Sequence, residues 1–86
     1  PHLLLPSGAR PWGGWGDVAP LLAAAVEVDV LLAGTGAAMA PLPVALRRAL
    51  EAAGLAPDPM PTPAACRTYN VLLAEGRRVG LALVPV

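Results

Sequence analysis

The segment Met60-Pro61-Thr62-Pro63-Ala64-Ala65-Cys66-Arg67-Thr68-Tyr69-Asn70-Val71-Leu72-Leu73-Ala74-Glu75-Gly76-Arg77 decides the fold, because it carries the clearest helix start and stop signals in the chain. Thr62 suits the N-cap, where its hydroxyl accepts from an unpaired backbone N–H. Pro63 suits the first helical position, where a missing N–H costs nothing. At about 100° per residue, Ala65, Cys66, Tyr69, Leu72 and Leu73 share an apolar stripe, which predicts one face packed on a core. Arg67, Val71 and Glu75 fall on the other side, Asn70 and Thr68 flank the stripe, and Gly76 is placed to end the helix in the left-handed conformation.

Working outward, residues 78–84 read as a closing strand, and residues 55–60 read as a strand that Pro57 and Pro59 make short or irregular. Upstream, Pro43 opens a helix with Leu42, Leu46, Ala49, Leu50 and Ala53 on one face and Arg47, Arg48 and Glu51 opposite, closed by Gly54. Residues 28–33 form a nearly continuous aliphatic run, the mark of a central strand covered on both faces. Strand, helix and strand then make a βαβ unit.

Nearer the start, Asp17 is placed to N-cap a helix with apolar Val18, Leu21, Leu22 and Ala25, with Pro20 in its first turn. His2 to Leu5 reads as a strand stopped by Pro6 and turned by Ser7-Gly8. Residues 10–16 read as irregular. They hold Trp12 and Trp15, which either close the ends of a thin core or stack on a ligand.

Eighty-six residues allow one α/β domain, burying roughly 60% of its unfolded surface. The chain starts at Pro1 and turns apolar at once, so an N-terminal portion is expected to be missing. Hydrophobic residues make up 56% and aromatics only 3%, so Leu, Val and Ala must build the core. Six acidic residues balance six Arg with no basic patch, which argues against a nucleic-acid partner. The absence of Lys reads as codon bias. A single Cys rules out an internal disulfide and fits the cytoplasm, the expected location. The longest nearly apolar run, residues 30–46, is interrupted by Gly34, Gly36, Pro41 and Pro43 and falls short of the roughly 20 residues of a membrane span. No transmembrane segment is expected.

Catalytic inventory is sparse. One His, one Cys and scattered acids do not make a metal site, and no cofactor is expected. Ser7 and Cys66 are the available nucleophiles, and the one imidazole, His2, lies at the N-terminus. Cys66 reads as a small buried hydrophobe. Gly34-Thr35-Gly36 follows the central strand, where a dinucleotide loop would sit, but position 39 is Met rather than the third Gly, and no Lys supplies a P-loop. If the strands ending near Ala33 and Met60 are parallel neighbours, Gly34, Thr35 and Gly36 meet Thr62 at a helix start. With Arg67 and Asn70 nearby, these residues form the candidate crevice for a ligand or partner.

These blocks together resemble the adipogenesis-associated Mth domain family, which includes a mitochondrial respiratory complex I assembly factor and uncharacterised bacterial and archaeal proteins. The resemblance runs through Leu3-Leu4-Leu5-Pro6 and Trp12, then Asp29-Val30-Leu31-Leu32 into Gly34-Thr35-Gly36, then Gly54, and finally Met60-Pro61-Thr62 to Asn70 with Glu75, Arg77 and Val79. The most specific block is Ala65-Cys66-Arg67-Thr68-Tyr69-Asn70. The resemblance implies a three-layer α/β fold with a mixed central sheet and helices packed on it, lacking here the family's N-terminal β-rich portion, and without known enzymatic activity or cofactor. The expectation is a non-catalytic protein-interaction domain acting in assembly or biogenesis through protein partners, with homo-oligomers plausible for so thin a core. The alternative is a small-molecule or anion-binding protein, or an unrecognised enzyme, using the Gly34–Gly36 and Thr62 crevice.

Overall fold

The computed structural model describes residues Pro1–Val86. Strand β1 (His2–Leu5) turns into β2 (Gly8–Pro11), followed by α1 (Ala19–Ala24), β3 (Val30–Gly34), α2 (Val44–Ala52), β4 (Pro57–Met60), α3 (Thr62–Ala74) and β5 (Val79–Leu83). The strands form one mixed sheet in the order β2-β1-β5-β3-β4. The middle strand is β5 rather than β3, the expected centre; β3 is an interior strand, parallel to β5 on one side and to the edge strand β4 on the other, while β1 runs antiparallel to β5 and β2.

Side-chain alternation along the strands divides the core in two. On one face Leu3, Leu5, Leu31 and Ala82 meet Leu21 and Ala24 of α1 and Leu46 and Leu50 of α2, with Trp12 closing the end. On the other, Leu32, Val79 and Leu81 pack against Ala65 of α3, ringed by Met60, Cys66, Tyr69 and Leu72. The arrangement is the three-layer α/β fold with a mixed sheet that the sequence led us to expect.

Pro57 and Pro59 are compatible with a strand because β4 is an edge. The Met60 carbonyl accepts from Thr35 N–H at 2.9 Å, so Met60 and Asp58 direct their backbone groups toward β3. The two prolines occupy the alternate positions, facing outward, where a missing N–H breaks no ladder bond.

Several local expectations are corrected. Residues Gly8–Pro11 form strand β2, so the irregular stretch begins only after Pro11. Asp17 does not cap α1, which starts behind Val18; its carboxylate accepts from Gly13 N–H at 3.1 Å instead. Pro43 is the N-cap of α2 rather than its first residue, and Ala53 lies past the helix and is exposed. Thr62 opens α3 behind Pro61 and makes no capping bond to its own helix. Leu73, placed on the buried stripe by spacing, is 46% exposed.

Candidate functional site

β3 and β4 are parallel neighbours, with Gly34 opposite Met60, so the loop leaving β3 lies against the start of α3. Gly36 N–H donates to Thr62 Oγ1 at 2.8 Å, and Thr62 N–H donates to the Gly36 carbonyl at 2.8 Å. The Thr62 hydroxyl then donates to the Val84 carbonyl at 2.7 Å. One side chain, 6% exposed, thereby ties the ends of β3 and β5 to the head of α3. Thr62 is the first residue of α3, behind the N-cap Pro61, and its hydroxyl acts across the sheet, as acceptor to Gly36 and donor to Val84, rather than on its own helix.

Gly34 is required beneath this junction. A Cβ there would stand 3.0 Å from Thr62 Oγ1, 3.2 Å from Thr62 Cα and 3.2 Å from Leu83 Cβ. Gly36 takes φ +104°, a conformation open to glycine at little cost. Thr35 fixes the loop that follows: its hydroxyl lies 2.8 Å from the Ala38 carbonyl and 3.1 Å from the Met60 carbonyl, and accepts from Ala40 N–H at 3.0 Å. The structure therefore brings Gly34, Thr35, Gly36 and Thr62 together as one hydrogen-bonded unit. An anion approaching Gly36 N–H would have to displace the Thr62 hydroxyl, and no cavity opens beside the junction. Arg67 and Asn70 stand apart from it, exposed on α3 and free of side-chain hydrogen bonds.

Trp12 serves the core. It is buried, its indole N–H donates to the Asp17 carbonyl at 2.9 Å, and its ring meets Trp15 edge-on with centroids 4.7 Å apart. Cys66 is half-buried at the margin of the α3-side core.

Spacing alone did not reveal how charge is distributed. All twelve charged residues lie outside residues 30–46, 59–66 and 79–86. Those are the segments that converge where β3, β4 and β5 end, held there by Thr35 and Thr62. The surface at that end is built from exposed Ala37, Ala38, Met39, Ala40 and Pro41, with Val44 following at the start of α2. The legible signal was an uncharged, proline-punctuated run after β3.

The segments entering β3 and β5, at the other end of those strands, carry an ion pair. Arg78 Nη2 lies 2.7 Å from Asp29 Oδ1 and Arg78 Nε 3.1 Å from Asp29 Oδ2, a two-pronged ion pair between the segments entering β3 and β5. The hydrogen bonds from Arg78 hold the Asp29 carboxyl below its ordinary range, and the same contact pushes the Arg78 guanidinium higher. Glu27 Oε1 accepts from Ser7 N–H at 3.0 Å nearby in sequence.

Comparison with known proteins places this geometry in context. A family model described as a protein of unknown function (DUF498/DUF598) matches residues 1–84. An uncharacterised protein of Rhodobacter capsulatus is 52% identical over 84 residues, covering 98% of this chain and 68% of that protein. NADH dehydrogenase (ubiquinone) 1 alpha subcomplex assembly factor 3 of Bos taurus is 37% identical over 59 residues, or 69% of this chain and 32% of the factor. The chain thus matches about a third of the assembly factor's length. Among solved structures, a Bordetella parapertussis protein superimposes with a TM-score of 0.82 at 41% identity, covering 99% of this chain and 78% of that one. A Bordetella pertussis protein described as a Mth938-like domain matches with a TM-score of 0.61 at 49% identity, over 69% of this chain and 37% of that one. No helix of the present structure is long and apolar enough to cross a membrane.

Proposed function

The chain belongs to the DUF498/DUF598 family, and from that membership we propose that it is a non-catalytic protein-interaction domain assisting the assembly of a respiratory NADH dehydrogenase. The observation that carries this reading is the similarity to the mammalian assembly factor across more than two thirds of the chain.

The chemistry of the Gly34–Thr62 junction supports it. The donors and acceptors of Thr35, Gly36 and Thr62 are engaged with one another and with backbone, so these residues hold a surface in shape. In the proposal, Gly34, Thr35, Gly36 and Thr62 form the frame under a partner contact, and Arg67 and Asn70, exposed further along α3, offer separate polar contacts to the partner. A rigid frame lowers the ordering cost of binding.

The test is deletion of the gene in the organism that carries it, with membranes resolved by native electrophoresis. The assembled NADH dehydrogenase should fall several-fold and recover when the gene is returned. An unchanged level of the assembled enzyme would overturn the reading.

A further inference from the structure

We infer that Pro57 and Pro59 close the β4 edge of the sheet to strand addition, so that a second copy of the chain or an extended segment of a partner must bind elsewhere on the molecule. The inference goes beyond the assembly reading and does not depend on it.

An edge strand is open when the backbone groups on its outer side can pair with an incoming chain. On β4 the Met60 carbonyl accepts from Thr35 N–H at 2.9 Å, which turns Asp58 and Met60 toward β3 and leaves Pro57 and Pro59 on the outer side. Both outer positions lack an N–H, so the edge offers carbonyls and no donor. An incoming strand would lose a hydrogen bond at each proline, and its own carbonyl there would face a ring methylene. The next residue in the same alternation is Pro61, where the strand has ended and α3 begins, so no donor is regained further along.

Asp58 adds a second barrier against self-pairing. It is exposed and takes part in no ion pair. Two copies of this four-residue strand meeting antiparallel about Asp58 would set their carboxylates directly opposite each other, and like charges in that position repel.

The other edge of the sheet is built differently. Trp12 N–H donates to the Pro1 carbonyl at 3.1 Å, so the antiparallel alternation turns Gly8 and Arg10 toward β1 and Ala9 N–H outward. β2 keeps a donor that β4 has lost, and Ala9 serves as an internal reference for an outward amide.

The experiment compares full-length wild type with Pro57→Val/Pro59→Val and with each single variant, using amide hydrogen exchange read by NMR and sedimentation velocity over a concentration series. In dilute solution the new amides at 57 and 59 should exchange as fast as that of Ala9, while those of Asp58 and Met60 stay protected about a hundredfold or more. The double variant should self-associate with a constant about tenfold or more above that of wild type, and protection at 57 and 59 should rise with concentration. Asp58→Asn added to the double variant should strengthen the association further. Should the double variant fail to fold, each single variant gives the same exchange reading at its own position. Amides at 57 and 59 already protected in the dilute, folded variant would place them toward β3 and overturn the inference. Self-association no stronger than that of wild type, or association that protects Ala9 and not 57 and 59, would overturn it as well.

Discussion

Gly36 and Thr62 exchange two hydrogen bonds, Gly36 N–H to Thr62 Oγ1 and Thr62 N–H to the Gly36 carbonyl, each 2.8 Å. The pair joins the loop after β3 to the head of α3, and the same hydroxyl reaches the Val84 carbonyl at 2.7 Å. Three chain segments far apart in sequence therefore depend on one oxygen.

Thr62→Val removes that oxygen at nearly constant volume and leaves the Gly36 donor and the Val84 acceptor without their partner. Each unsatisfied buried group costs about 1–3 kcal/mol, so the urea midpoint should fall by the equivalent of roughly 2–4 kcal/mol. Thr62→Ser keeps the hydroxyl and should cost about 1 kcal/mol for the lost methyl. Equal midpoints for the two variants would show that the oxygen has no such role.

Gly34→Ala and Gly80→Ala should differ in cost. A Cβ at Gly34 meets Thr62 Cα and Leu83 Cβ at 3.2 Å, atoms fixed by the backbone, and Thr62 Oγ1 at 3.0 Å. At Gly80 the neighbours are the side-chain tips of Leu31, Leu5 and Val28 at 3.3 Å, which can shift. Overpacking at Gly34 should cost about 1–3 kcal/mol, measured by denaturant titration, and the Gly80 variant less. The reverse order would contradict the packing described.

The Asp29–Arg78 pair predicts a pH dependence of defined sign. Because the Arg78 hydrogen bonds lower the Asp29 pKa on folding, the carboxylate contributes stability above its unfolded pKa, and that contribution disappears as pH falls through the lower folded value. Both side chains are more than half exposed, 61% for Arg78 and 56% for Asp29, so the effect is small and weakened by salt. Thermal scans of wild type and Asp29→Asn should separate at neutral pH and converge in strong acid. A gap that widened on acidification would have the wrong sign.

Trp12→Phe deletes the indole donor to the Asp17 carbonyl and part of the edge-on contact with Trp15. A loss of about 1–2 kcal/mol is expected by denaturant titration, together with a changed emission from Trp15. A variant as stable as wild type would show that the indole bond contributes nothing.

Much of this fold was legible because local chemistry and tertiary demand agree. Pro63 and Gly76 bracket α3 in sequence and nearly so in space, and the aliphatic run ending at Ala33 became an interior strand covered on both faces, next to the middle strand β5. The failures have physical reasons. Gly8–Pro11 is exposed throughout, so no in-out alternation marked it as a strand. Thr62 has the side chain of an N-cap, but its oxygen accepts from Gly36 N–H across the sheet instead of from its own helix, and only the assembled sheet brings that donor to it. Leu73 shares the angular sector of Tyr69 and Cys66, which pack on the core, but it lies in the last turn of α3, where angular spacing alone does not mark burial. At the candidate site, the meeting of Gly34, Thr35 and Gly36 with Thr62 followed from parallel pairing of β3 and β4, and the exposure of Arg67 and Asn70 agrees with their places opposite and beside the apolar stripe of α3.

The most direct test of the assembly role is to count assembled NADH dehydrogenase complexes and measure turnover per complex in membranes from the deletion strain. An assembly factor alters how many complexes form and leaves each finished one unchanged. Fewer complexes are expected, each turning over at the wild-type rate, with the number restored when the wild-type gene is returned. A normal number of complexes, or a lowered turnover in each, would contradict it.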